Sequence, residues 1–219
     1  MPAVFKFSMA KLKVYTFPDV VLAQKAVPIQ RIEKGLYKLA DDMLETMYDA
    51  PGVGLAANQV GILQRILVID TDYDLEELPE GAPVPTSVEV IGRNVIKNKI
   101  PRIIINPEIV YHEGSILHSE ACLSVPEYSA DVKRFEKIKL QYQDVDGLTK
   151  TLSAEGLLAI CIQHEMDHLD GKLFIDRLSP LKKEMVRKKL KQERREREYE
   201  LGLELDSGKR SKKSSSKES

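Results

Sequence analysis

The sequence predicts an α+β fold, because two helical stretches bracket a β-rich middle instead of alternating with strands as a βαβ chain requires. Three observations carry this. Apolar residues recur at three- and four-residue spacing from Ile29 to Tyr48. Strand-like patterns dominate from residue 103 to about 152, and a second helical stripe runs from Leu157 to His168. At 219 residues the chain has room for one globular domain of ~100–200 residues and an appendage.

The first helix buries Ile32, Leu36, Leu39, Ala40, Met43, Leu44 and Met47, and Asp49-Ala50-Pro51 stops it. After Gly52-Val53-Gly54-Leu55-Ala56-Ala57-Asn58-Gln59 comes a β-like run, Ile66 to Ile69. Thr71 to Pro101 is rich in proline, glycine and acids and reads as a long loop or insertion. A strand starts at Ile103-Ile104-Ile105. Later, Ile138, Leu140 and Tyr142 alternate into Asp146-Gly147, a hairpin signal. Ser153 is the expected N-cap of the second helix, whose stripe is Leu157, Ile160, Cys161, His164 and His168. Leu173-Phe174-Ile175 reads as a short strand. Beyond Ser179-Pro180 a third helix carries Leu181, Met185 and Leu190 before dissolving into charge. Residues 206–219 hold no apolar side chain and are expected to be disordered. The expected organisation is a catalytic domain over 1–180, a charged helical extension over 181–205 and a tail over 206–219.

Charge narrows the function classes. The chain carries 33 Lys plus Arg against 34 Asp plus Glu, which excludes a whole-protein nucleic-acid binder. Residues 181–219 nevertheless hold 14 basic and 8 acidic side chains, leaving the first 180 acidic. No apolar run approaches the ~20 residues of a membrane span. The stretch Met1 to Tyr15 is interrupted by Lys6, Lys11 and Lys13, unlike a secretory signal. A cytoplasmic protein without membrane or DNA partners is expected. Two cysteines, Cys122 and Cys161, are too few for a disulfide scaffold, which leaves packing, metal ligation or nucleophilic chemistry.

His164-Glu165-Met166-Asp167-His168 is HExxH on a predicted helix, the spacing that sets two imidazoles one turn apart on one face. The plain alternative is two core histidines. Two polar rings on an apolar stripe need partners, however, and a shared metal supplies one. Glu165 would then reach metal-bound water. A catalytic site needs a third ligand and an open position. Gly171 matches the extended HExxHxxGxxH pattern but position 174 is Phe, so that pattern fails. Glu184 and Glu193 sit in a charged, solvated helix. Cys161 lies too far along the helix and suits core or pocket wall. Cys122, in Ser119-Glu120-Ala121-Cys122-Leu123-Ser124, is free to approach from across the fold, although a lone cysteine is more often buried filler. Gly52-Val53-Gly54-Leu55-Ala56-Ala57 also fits GxGxxA, yet it follows a helix and leaves no room for a crossover helix. Closely spaced glycines can instead let backbone approach a ligand as an edge strand, with Gln59 offering an amide donor.

Gly52 to Gln59, Glu120 to Ser124 and Gln163 to His168, in this order and spacing, resemble the three signature motifs of peptide deformylase. The resemblance runs from about Val14 to Pro180, including Phe17-Pro18-Asp19 and Gly171-Lys172-Leu173-Phe174. The first motif matches GxGLAAxQ throughout. In the second, Ala121 stands where the family usually has Gly, and Thr71 to Pro101 is longer than in many relatives. The family fold implied has antiparallel sheets packed around a central metal-binding HExxH helix, with an N-terminal amphipathic helix and a charged C-terminal one. The activity implied is removal of the formyl group from the N-terminal methionine of new polypeptides, releasing formate.

By the same resemblance Cys122, His164 and His168 hold the metal, Glu165 is the general acid and base, and Gln59 and the N–H of Leu123 are oxyanion donors. Ile160 and Cys161 line the methionine slot. Gly52, Val53 and Gly54 pair with the peptide backbone, and Leu55 completes the substrate-binding set. One Fe(II) per chain is implied, for which Zn(II), Ni(II) or Co(II) can substitute; a thiolate-ligated ferrous ion oxidises easily. The basic segment Lys182 to Arg197 is either a solvated helix braced by i,i+4 pairs or a dock on ribosomal RNA, as in related enzymes. Two other readings stay open: an HExxH peptidase cutting internal bonds, and a structural metal site in an RNA-associated module.

Overall fold

The computed structural model describes residues 11–78, 89–91 and 94–214. In chain order its elements are α1 (Lys34–Asp49), β1 (Gly54–Ala56), β2 (Ile66–Ile69), β3 (Asp74–Glu77), β4 (Glu89–Ile91), β5 (Asn94–Lys97), β6 (Arg102–Glu113), β7 (Ile116–Cys122), β8 (Val125–Arg134), β9 (Lys137–Gln143), β10 (Thr149–Glu155), α2 (Gly156–Leu169) and α3 (Pro180–Ser214). Short 3-10 turns occupy Val20–Ala23, Ala57–Val60 and Phe174–Arg177. The chain divides into one compact unit through Arg177 and a second from Leu178.

In the first unit the named strands of the described residues all pair antiparallel, beside an isolated parallel bridge between Val27 and Gln64. Strands β1-β2-β6-β9-β10 form the main sheet, β3-β5-β4 a second and β7-β8 a two-stranded ribbon. The continuous apolar run of β2 has a physical reason: it is covered on both faces. Ile66 and Val68 belong to a cluster with Leu36, Met43 and Met47 of α1. Leu67 and Ile69 belong to another with Ala159, Ile162 and Leu169 of α2. Each such side chain removed from water contributes about 1.5–3 kcal/mol. Burial is continuous from Ala159 to Glu165, so α2 is enclosed on all sides and presents its polar residues to the interior.

Several sequence expectations change. The amphipathic pattern from Ile29 becomes helical only at Lys34. Ser153 does not cap α2, because it pairs with Lys139 inside β10; the chain turns from strand to helix at Gly156, whose φ of 59° suits a residue without a side chain. Residues 173–175 form no strand: Phe174–Arg177 is a 3-10 turn, with the Leu173 N–H donating to Asp176. The expected loop 71–101 carries the β3-β5-β4 sheet. Its acids on exposed β3 obscured the alternation, and Asp74 to Lys97 and Glu76 to Val95 pair across it.

In the second unit α3 continues beyond the boundary expected near 205, through Ser214. No proline follows Pro180, lysine, arginine and glutamate favour helix, and Lys189–Glu193 and Arg194–Glu198 brace it at i,i+4. The remainder of the expected tail, 215–219, lies outside the described residues, as do 1–10 and part of the expected loop.

Candidate active site

Two backbone hydrogen bonds from the N-terminal segment bring the site together. Tyr15 N–H donates to the Gln59 carbonyl at 2.7 Å and Phe17 N–H to the Ser124 carbonyl at 2.8 Å, strapping the first motif to the second. The second motif ends β7, whose inward-facing positions include Glu120 and Cys122. A register shift between these two breaks the ladder with β8. Ala121 falls there, exposed, and is not among the residues with positive φ, so a methyl group is accommodated without backbone strain.

Cys122 faces α2. Its Sγ lies 3.1 Å from His168 Nε2, and the ligand atoms of Cys122, His164 and His168 all lie within 4.8 Å of one another. A thiolate and two imidazoles suit a borderline divalent ion with ligand distances of about 2.0–2.3 Å, so the residues fit one metal. Glu120 Oε2, 2.7 Å from His164 Nδ1, fixes that ring from behind and leaves Nε2 for the ion. Burial drives the His168 ring well below the usual imidazole range, which favours the neutral form a metal takes. The Phe174 ring stacks against His164 at a centroid distance of 6.0 Å. The position that would carry a third histidine in the extended motif is thus a wall behind the first.

Behind Cys122, His164 and His168 lies a charge network that sequence reasoning missed. Arg134, 3% exposed, donates through Nε and Nη2 to both Glu120 oxygens at 2.6 and 2.9 Å, and through Nη1 to Asp167 at 2.6 Å. Asp167 also accepts from Arg177 Nε at 2.9 Å. Burial alone would raise the Glu120 carboxyl, but hydrogen bonds from Arg134 and His164 hold it at about 2. The signal was present in the pattern Ala130, Val132, Arg134: an arginine at an inward position of an alternating strand needs buried partners. Gln163 adds a tie, accepting from the Phe135 N–H and donating to its carbonyl, both at 2.9 Å.

Glu165 is fully enclosed, and its Oε2 is buried with no hydrogen-bond partner among the described residues. Burial, aided by the Glu120 charge and opposed by His164 and Arg134, raises its carboxyl to about 7. The glycine at position 54 makes this placement possible: a Cβ there would stand 2.5 Å from Glu165 Oε1 and 2.9 Å from Cys161 Sγ. Gln59 accepts the Ala56 N–H on Oε1 at 2.7 Å, which turns Nε2 toward Ser124 Oγ at 3.3 Å and Cys122 Sγ at 3.7 Å.

These groups face a cavity of about 580 Å³. Gly52, Val53 and Gly54 form one side, Ile160 and Cys161 of α2 another, and Leu123 packs against Gly52. Leu55 is a correction. It was expected with the substrate-binding residues, but side chains alternate along β1, so while Gly54 and Ala56 face α2, Leu55 is fully buried in the α1 cluster and does not line the cavity. Within the described residues no helix is long and apolar enough to cross a membrane.

One cysteine and two histidines that could hold one metal ion, beside a buried carboxylate at the foot of a cavity walled by an edge strand and a helix, suit a metal-dependent hydrolase. The polypeptide deformylase family model matches residues 11–184. Peptide deformylase 2 of Xanthomonas axonopodis pv. citri is 47% identical over 190 residues, covering 85% of this chain and 98% of that protein. The peptide deformylase of Xylella fastidiosa strain 9a5c is 48% identical with the same coverage. The crystal structure of a peptide deformylase from Legionella pneumophila superposes with a TM-score of 0.69 at 39% identity, covering 86% of this chain and 98% of that one. The chain belongs to the peptide deformylase family, metal-dependent enzymes that remove the N-terminal formyl group from nascent polypeptides.

Proposed function

We propose that this chain deformylates N-formylmethionyl peptides at one divalent cation held by Cys122, His164 and His168, with Fe(II) as the ion used in the cell, where the enzyme works in the cytoplasm. The observation that carries the reading is the convergence of these three ligand atoms within 4.8 Å beside an enclosed Glu165. Such a cation supplies Lewis acidity, lowering the pKa of water and drawing charge from a carbonyl oxygen.

The chain's own residues do the rest. Glu165 accepts a proton from the attacking water as its oxygen adds to the formyl carbon. Gln59 Nε2 and the Leu123 N–H stabilise the negative charge that grows on the formyl oxygen. As the carbon–nitrogen bond breaks, Glu165 returns the proton to the leaving amine and formate departs. The Gly52–Gly54 edge receives the peptide backbone in strand fashion, and Ile160 and Cys161 line an apolar slot for the methionine side chain. The basic segment Lys182 to Arg197 of α3 is the surface offered to the ribosome.

The test is formate release from formyl-Met-Ala-Ser by protein purified without oxygen and supplied with iron or nickel, beside an unformylated peptide. Formate from the first and no cleavage of the second is expected, with Cys122→Ser losing the ion. Cleavage of internal bonds, or a Cys122→Ser variant that keeps its metal, would overturn the reading.

A further inference from the structure

The Gly52–Gly54 edge has almost no side chain with which to anchor itself, and Val53 is 39% exposed. Its position is therefore set by hydrogen bonds. Gly52 N–H donates to the Met47 carbonyl at 2.9 Å, and the Val53 carbonyl accepts from Asp70 N–H at 3.0 Å. The Gly52 carbonyl is held from a different direction: Tyr73, between β2 and β3, donates its hydroxyl to it at 3.0 Å. The half-buried Tyr73 ring meets Tyr48 edge-on, with centroids 5.0 Å apart. Tyr48 donates to Asp70 at 2.7 Å, and Asp70 also receives the N–H groups of Ile100 and Asp72 at 2.8 and 3.0 Å. One buried carboxylate thus closes both ends of the 71–101 segment, and Tyr73 carries that anchorage to the cavity wall. A Cβ on Gly52 would stand 3.1 Å from the Leu123 side chain, so Leu123 packs closely beside Gly52.

We propose that Tyr73 is a positioning residue for the peptide substrate: its hydroxyl fixes the Gly52 carbonyl, and through it the Gly52–Gly54 edge. The inserted segment is then more than a surface addition, since it supplies the fastening for the edge on which the peptide lies. This rests on the reading of that edge as the peptide track.

The experiment compares the full chain, loaded with nickel, with Tyr73→Phe and Tyr48→Phe. In Tyr73→Phe, KM for formyl-Met-Ala-Ser rises about three- to tenfold, the factor one lost hydrogen bond is worth, while kcat and metal content hold. KM for formyl-Met, which has no peptide to lay on the edge, stays unchanged. Tyr48→Phe, which loses the Asp70 bond and keeps Tyr73 on Gly52, lowers the thermal midpoint without moving KM. An unchanged tripeptide KM in Tyr73→Phe, or an equal rise in Tyr48→Phe, overturns the inference. Absence of formate release by the parent chain would instead refute the deformylase reading beneath it.

Discussion

Replacing Arg134 with methionine tests whether the network behind the ligands holds the site in shape. Methionine fills much of the arginine stem's space but leaves Glu120 and Asp167, 4% and 5% exposed, without the cation between them. Asp167 keeps Arg177, whereas Glu120 is left, among the described residues, with the His164 ring. Removing one member of a buried ion pair costs about 3–5 kcal/mol. In a chain of this size that is a fall of about 6–20 °C in thermal midpoint. With a total stability of about 5–15 kcal/mol, part of the population stays folded and can be assayed. Because Glu120 orients His164, metal affinity also falls, by about ten- to a hundredfold. Denaturant unfolding of the metal-free protein and metal titration of the folded protein read the two effects separately. Adding Glu120→Gln should cost less than the sum of the single changes, since the two residues share one interaction. A variant within about 1 kcal/mol of the parent, with unchanged metal affinity, would refute the reasoning.

Other outcomes follow from the same geometry. Gly54→Ala places a methyl group against Glu165 Oε1 and Cys161 Sγ, so formate release should fall at least about tenfold while metal content holds; a rate equal to the parent's would show that Glu165 has room to move. The iron-loaded enzyme should lose activity in air and the nickel-loaded enzyme keep it, and an iron form unaffected by long aerobic incubation would argue against a thiolate-ligated ferrous ion. Co-sedimentation of the full chain with ribosomes should fall steeply as salt is raised, and deleting residues 181–219 should weaken it at low salt; unchanged, salt-independent binding would remove α3 as the contact.

The histidine pair was legible because His164 and His168 are four apart, the spacing that sets two side chains on one face of a helix, a local feature that needs no knowledge of the rest of the fold. Cys122 was not fixed by spacing. It lies 46 residues from His168, on a different element, and entered only through the resemblance of three motifs. The β3-β5-β4 sheet escaped notice because Asp74, Glu76 and Glu77 leave β3 without an apolar face, and its pairing is decided by distant residues. Leu173-Phe174-Ile175 is too short for periodicity to separate strand from turn, and the Asp176 carboxylate that takes the Leu173 N–H lies just beyond it. Ser153 had the chemistry of a cap but belonged to the register of β10. Leu55 went astray for a related reason: a motif names residues in a row, while a strand sends alternate ones to opposite faces.

The central claim is that Glu165 moves the proton at a metal held by Cys122, His164 and His168. It is tested most directly by Glu165→Ala, loaded with nickel and compared with the parent for formate release from formyl-Met-Ala-Ser. The account predicts a folded variant that retains one ion per chain and releases formate about a hundredfold to ten-thousandfold more slowly. A fully metal-loaded variant that releases formate at the parent's rate would contradict it.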